Sequence, residues 1–283
     1  MARGISVHIG LNAVDPGHYK GWDGALSACE FDANDMESLA QGRGFETTKL
    51  LTAQATSSAI TEAIESAASE LDDGDIFLVT YSGHGGQVPD TNDEEEVDSS
   101  DETWLAYDRQ IVDDELYALW ATFKPGVRIA VLSDSCHSGS VNKAITNKGS
   151  VPDPVATAEV AATQDPRYRA LPRDKMIETY GEHHALYDGI QERVASSTSS
   201  KSELGATVLL ISGCQDDQLS RDGFKNGAFT AKLLRVWDDG AWRGSYPGFH
   251  EAIRSQMPDD QQPNYNPVGA RNSDFEEQDP FTI

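Results

Sequence analysis

Three short stretches of this 283-residue chain are apolar at nearly every position: Ile76–Tyr81 (IFLVTY), Val127–Leu132 (VRIAVL) and Ala206–Ile211 (ATVLLI). A strand with one wet face alternates apolar and polar residues. A strand covered on both faces does not, and such strands belong to parallel sheets with helices packed on either side. Helical patterns fall between the runs, so the chain reads as a doubly wound α/β sheet. Each run ends on residues that carry chemistry: SGHGG after the first, SDSCHSG after the second, SGCQDD after the third. In open α/β sheets the binding crevice lies beyond the carboxyl ends of the strands, so all three motifs point to one place.

The rest of the chain fits around this core. Ile5, Val7, Ile9 and Leu11 alternate with polar or small residues, as in a first strand, and TTKLLT reads as a short second one. Helices are expected at Cys29–Gly42, at Ile60–Leu71 behind the capping candidates Thr56, Ser57 and Ser58, at Asp113–Phe123 and at Ala228–Trp237. The stretch from Asp90 to Glu102 holds eight acidic residues and no basic one, and reads as a solvated loop. Residues 141–204 form a long insertion in which Met176, Ile177, Tyr180, His184, Tyr187, Ile190 and Val194 have the spacing of one amphipathic helix, on whose surface His183 and His184 are expected. The Pro- and Asn-rich stretch QPNYNPVGARNSDFEEQDPF is expected to wrap the domain surface.

A formal net charge of -25 excludes nucleic acid as the main partner and favours cationic substrates or divalent cations. Three scattered cysteines without a CxxC support neither a disulfide framework nor a zinc site. The N-terminus carries no signal-like apolar segment and no run is long enough to span a bilayer, so a soluble, cytoplasmic protein is expected.

Cys136 stands beside His137, and the pair invites a reading as nucleophile and base. The two-residue period of a strand aims the two side chains apart, so a base from another strand end fits better. His84, flanked by glycines after the first buried run, supplies it, and Cys136 with His84 would form a thiol–imidazole dyad. The backbone N–H groups of Gly85 and Cys136 are the natural donors to an oxyanion. The same period places Asp134 with Cys136 and Ser82 with His84, so a carboxylate lies near the nucleophile, where it can orient a catalytic group or receive a cationic side chain. The plain alternative is a buried core thiol and a loop histidine.

VTYSGHGG, SDSCHSG and ISGCQDDQLSRD followed by GAFT resemble, in this order, the caspase-like cysteine peptidases, and among them the metacaspases and their bacterial relatives. HIGLN and ACEFDAND resemble the family's first strand and its Cys-x-x-Asp element. The resemblance implies a caspase-like three-layer sandwich, α/β, with a central mostly parallel sheet and helices on both faces. It implies one peptidase domain over residues 1–283, with a larger part (1–140), the insertion as a processing linker (141–204) and a smaller part (205–283). It assigns Cys136 as nucleophile, His84 as base, and Cys29, Asp32, Ser82 and Asp134 to the pocket for the residue preceding the cut bond (P1). Acidic groups there imply cleavage of protein or peptide substrates after Arg or Lys, not after Asp.

DETWLAYDRQIVDDE resembles the family's calcium-binding segment, with Asp101, Asp113 and Asp114 on ligand positions, so activation by Ca²⁺ is an expectation. Lys143 stands where the family has a further acidic ligand, which weakens that expectation. Among the basic residues of the insertion, Arg167, Arg169, Arg173, Lys175, Arg193 and Lys201, self-cleavage is expected at Arg173 or Lys201. A monomer with no organic cofactor and no membrane partner completes the expectation. Two rivals remain: a Cys-His hydrolase of small amides or esters on the same scaffold, and an inactive scaffold that binds basic peptides.

Overall fold

The computed structural model describes residues 2–90, 100–136, 168–197, 204–215 and 218–283. Among the described residues there are nine strands: β1 (Gly4–Gly10), β2 (Glu46–Leu51), β3 (Ile76–Ser82), β4 (Gly85–Pro89), β5 (Ser100–Leu105), β6 (Gln110–Val112), β7 (Arg128–Asp134), β8 (Thr207–Ser212) and β9 (Asn264–Gly269). The helices are α1 (Cys29–Gly42), α2 (Ser57–Glu70), α3 (Asp113–Trp120), α4 (Arg173–Ser197), α5 (Ala228–Trp237), α6 (Tyr246–Arg254) and α7 (Ser273–Glu277). The main sheet has the order β2-β1-β3-β7-β8-β9, with every pairing parallel except β8 with β9. A second sheet, β4-β5-β6, is antiparallel.

The three apolar runs are β3, β7 and β8, at the centre of the main sheet, and their alternate residues feed two separate cores. Phe77, Val79 and Tyr81 of β3 pack with Ile129 and Val131 of β7 under α2 and α3. Ile76 and Leu78 pack with Ala130 and Leu132 under α1, α5 and α6. A strand needed by two cores admits a polar side chain before its carboxyl end only where a partner is at hand, as Thr80 of β3 has His8. At that end Ser82 and Asp134, direct partners in the parallel register, open on the α1 and α5 side.

Two expectations change. The tail does not merely wrap the surface: Asn264–Gly269 pairs with β8 as the edge strand β9. Pro267 is tolerated there because an edge strand leaves one row of its N–H groups unpaired. The acidic stretch is not solvated throughout either. Its end, from Ser100, is strand β5, and Asp101 is buried, with its carboxylate 2.6 Å from the amide of Gln191 on α4. The insertion helix is present as α4, bent at His183. His183 stacks on His18 with ring centroids 4.1 Å apart, so it is a contact residue, while His184 is exposed. Among the described residues no helix is long and apolar enough to cross a membrane.

His8 lies buried within β1, its ring nitrogens 2.9 Å from Thr80 Oγ1 and 2.9 Å from Ser6 Oγ. Burial lowers its pKa to about 3, so the fold holds the neutral ring. An unfolded chain takes up a proton near pH 6.5 that the folded one refuses, so His8 costs stability as pH falls from about 6.5 towards 3. Urea midpoints of wild type and His8→Gln measured between pH 7 and 4 are expected to show the shallower decline in the variant, by at most about 1.4 kcal/mol per pH unit. Parallel declines would contradict this.

Candidate active site

The carboxyl ends of β1, β3, β7 and β8 meet the start of α1 and α5. Helix α5, with Gly227 as its N-cap, directs the N–H groups of its first turn at two carboxylates. Gly227 N donates to Asp32 Oδ1 at 3.0 Å, and Thr230 N and Oγ1 donate to Asp134 Oδ2 at 3.0 and 2.7 Å. These free amides and the helix dipole make an acidic pair tolerable in a closed site. Ser82 donates to Asp32 at 2.7 Å and Ser220 to Asp134 at 2.6 Å. Cys29 lines the same place as a neutral thiol, pushed up to about 12 by burial.

The pocket is filled by the chain itself. Arg169, fully buried, reaches in from the insertion. Its Nη2 lies 2.8 Å from Asp32 and 3.1 Å from Asp222, and its Nη1 lies 3.0 Å from Asp134 Oδ2 and 3.0 Å from the Asp134 carbonyl. Burial works against the guanidinium charge, but Asp134, Asp32 and Asp222 outweigh it and hold the pKa above the ordinary arginine value. Burial also pushes Asp32 up to about 6 although Arg169 pulls the other way; with Ser82, Asn226 and Gly227 N donating to it besides the guanidinium, it is the ionised form that is held at neutral pH.

The backbone around Arg169 is held as firmly as its side chain. Its N–H donates to Ser220 O at 3.0 Å, and its carbonyl accepts from Gly85 N at 3.0 Å and from Cys136 N at 3.2 Å. Leu171 N donates to Gly85 O at 2.8 Å. The segment therefore runs extended, antiparallel beside Arg221 through Tyr168 and parallel beside Gly85 through Ala170. Gly85 is required here, since a Cβ would stand 1.8 Å from the Cys136 carbonyl oxygen.

Cys136 is buried, its Sγ accepting from Ser220 N at 2.7 Å. His84 Nε2 lies 2.9 Å from Gly24 O, a contact that requires the proton on Nε2 and leaves Nδ1 as the basic nitrogen. Nδ1 is buried and has no hydrogen-bond partner among the described residues, so the thiol is turned to Ser220 instead of to the imidazole. Burial lowers the His84 pKa to about 4, the Arg169 charge adding to the effect and the Gly24 and Ala170 backbone opposing it. Tyr81 fixes the loop by donating to His84 O at 2.6 Å, and Trp22 covers the imidazole with ring centroids 4.7 Å apart. A thiol, an imidazole with a free lone pair and two N–H donors on one peptide carbonyl are the parts acyl transfer needs.

The structure thus brings together Cys136, His84, Gly85, Asp32, Asp134, Ser82 and Cys29. It adds Arg169, Asp222, Ser220, Gly24 and Gly227, to which the sequence alone assigns no role in the site. Asp222 and Ser220 belong to the motif ISGCQDDQLSRD, where register across β8 is the missing information. Arg173 is the first residue of α4, four residues beyond Arg169. His137, Lys143, Arg167 and Lys201 lie outside the described residues. Among the described residues no three His, Cys, Asp or Glu side chains gather as metal ligands, and Asp101 is occupied by Gln191. Asp113 and Asp114 open α3, where acids complement the helix dipole.

A six-stranded sheet with this order, sandwiched by helices and carrying Cys, His and an acid-lined pocket at one end, defines a caspase-like cysteine-peptidase fold. The chain belongs to the caspase-domain family, whose model matches residues 13–273. It is 29% identical over 245 residues to metacaspase-1 of Mycosarcoma maydis, covering 78% of this chain and 58% of that protein. It is 30% identical over 249 residues to metacaspase-1A of Aspergillus oryzae, covering 80% of this chain and 57% of that one. The chain thus spans little more than half the length of these relatives. A solved protein of Geobacter sulfurreducens superposes with a TM-score of 0.86 at 47% identity, over 99% of both chains. Caspase-1 of Spodoptera frugiperda shares the fold alone, with a TM-score of 0.50 at 13% identity over 95% of this chain and 86% of that one.

Gly227 tests the pocket's construction, because a Cβ there would stand 2.5 Å from both Arg169 Nη1 and Asp134 Oδ2. Gly227→Ala is expected to displace the guanidinium and lower the melting temperature by several degrees, the usual cost of overpacking. An unchanged melting temperature would show that the pocket is looser than these distances imply.

Proposed function

We propose that the protein is a cysteine endopeptidase that cuts after arginine, and less readily after lysine, with Cys136 as nucleophile and His84 as base. The observation that carries this reading is Arg169: a peptide arginine lies in the acid-lined pocket while its own carbonyl oxygen is held by two backbone N–H groups. A small amide or ester would not need the antiparallel pairing of main chain with Ser220, so a peptide substrate fits the cleft better.

In the reaction so proposed, a substrate arginine takes the place of Arg169. The Cys136 proton passes to His84 Nδ1, whose basicity depends on Gly24 O holding the proton of Nε2. The thiolate adds to the carbonyl carbon, and the charge that develops on oxygen falls between Gly85 N and Cys136 N. His84 returns its proton to the departing amine, and water completes hydrolysis of the thioester. The planar guanidinium meets Asp32 and Asp222 through one nitrogen and Asp134 through the other, whereas an ammonium is a point charge that cannot span them. Arginine is therefore preferred. Aspartate at P1 would face three carboxylates. Among the described residues no three His, Cys, Asp or Glu side chains form a calcium cage.

Fluorogenic peptides differing only at P1, assayed with and without Ca²⁺, test the reading. Arg is expected to exceed Lys by about tenfold in kcat/KM, Asp to be inert, and Cys136→Ala to abolish turnover. Asp222→Asn should reduce kcat/KM for Arg by roughly one to two orders of magnitude. Preference for Asp, or failure of every Arg and Lys peptide in an Arg169→Gln chain as well as in the intact one, would overturn it.

A further inference from the structure

We propose that the cleft selects its substrates a second time beyond the cut bond: an apolar pocket formed by Val14, Tyr19, Trp22 and Leu105 takes an aliphatic side chain, leucine above all, at the second residue after that bond (P2′). This rests on the proposed peptidase reading and names a further feature of its substrates.

With Arg169 in the place of P1, Leu171 stands at P2′ and shows what the pocket holds. Its side chain is buried, packed with Val14, Tyr19, Leu105 and Trp22, and with Met176 of its own segment. Met176 arrives with the insertion, whereas the other walls belong to the body of the domain and are anchored without Leu171. Tyr19 is fully buried and its hydroxyl donates to Ala106 O at 2.9 Å. Val14 N donates to Asp23 O at 2.8 Å, and Trp22 N to Tyr19 O at 3.0 Å. Leu105 ends β5, its N–H donating to His84 O at 3.0 Å and its carbonyl accepting from Tyr81 Oη at 3.0 Å. The pocket is thus tied by hydrogen bonds to the loop that carries the base. An aliphatic side chain gains by leaving water for such walls, while a hydroxyl or carboxylate placed there loses its partners.

The main chain sets which residue reaches the pocket. Gly85 N donates to Arg169 O at 3.0 Å and Leu171 N donates to Gly85 O at 2.8 Å, the two bonds of a parallel bridge that flanks Ala170. One glycine therefore measures the distance from the P1 carbonyl to the P2′ amide. A peptide held in this register brings its arginine to the acid-lined pocket and its P2′ side chain to the apolar one together. Trp22 stands between the two tasks, with its ring against the His84 imidazole and its margin against the P2′ side chain.

Internally quenched peptides identical except at P2′, with Arg at P1 and Ala at P1′, are given to the intact chain and to Arg169→Gln. Leu at P2′ is expected to exceed Ser and Asp by at least about tenfold in kcat/KM. N-methyl-leucine, which lacks the N–H that Gly85 O accepts, should fall about tenfold below leucine. Val14→Ala widens the pocket and should raise the ratio of Phe to Leu at P2′ by about tenfold. Both peptides are read in the same variant, so a partly unfolded population cancels from the ratio. Rates indifferent to the P2′ side chain, a preference for Ser or Asp there, or an unmoved ratio in Val14→Ala would overturn the proposal. An arginyl coumarin amide, which carries no residue beyond the cut bond, separates the two levels. If it is cut and P2′ has no effect on the peptides, only the apolar pocket falls; if neither it nor any arginine peptide is cut by either chain, the peptidase reading falls with it.

Discussion

The guanidinium of Arg169 among Asp32, Asp134 and Asp222 is the interaction on which the site depends. Three carboxylates gathered in a closed space repel one another, and burying them is costly unless each is paired and hydrogen-bonded. The fold offsets part of this with the N-terminus of α5 and the hydroxyls of Ser82, Ser220 and Thr230. The remainder needs a cation. In this chain that cation is the side chain of Arg169.

The same contact links electrostatics to reactivity. The side chain of Arg169 anchors the segment, so its carbonyl lies on Gly85 and Cys136 and its N–H on Ser220. Ser220 also holds Cys136 Sγ. Seating the arginine therefore sets its carbonyl on the backbone of the cysteine itself, while Leu171 packs with Tyr19 and Trp22 beside His84, whose burial favours the neutral ring.

The frame of this structure is legible in the sequence because two cores make demands on the same strands. β3, β7 and β8 are apolar on both faces, and the polar residues that end them mark the site. The two-residue period places Asp134 with Cys136 and Ser82 with His84; that Ser82 and Asp134 are themselves register partners is information only the sheet supplies. The illegible part depends on paths through space. Arg169 is one of several basic residues in the insertion, and nothing local distinguishes it; only the return of the chain to Gly85 and Ser220 does. The β4-β5-β6 sheet is short, and the acidity around Asp101 masks a strand whose carboxylate is satisfied by a residue ninety positions away. Pro267 similarly disguises β9, because a proline counts against a strand unless the strand lies at an edge.

The most direct measurement is the rate at which a chloromethyl ketone bearing arginine at P1 alkylates Cys136, in the intact chain and in an Arg169→Gln chain that melts cooperatively. If the chain's own arginine fills the pocket, the intact protein reacts slowly and the variant at least about tenfold faster. Equal rates would mean that Arg169 does not govern access to the thiol, and would contradict the account.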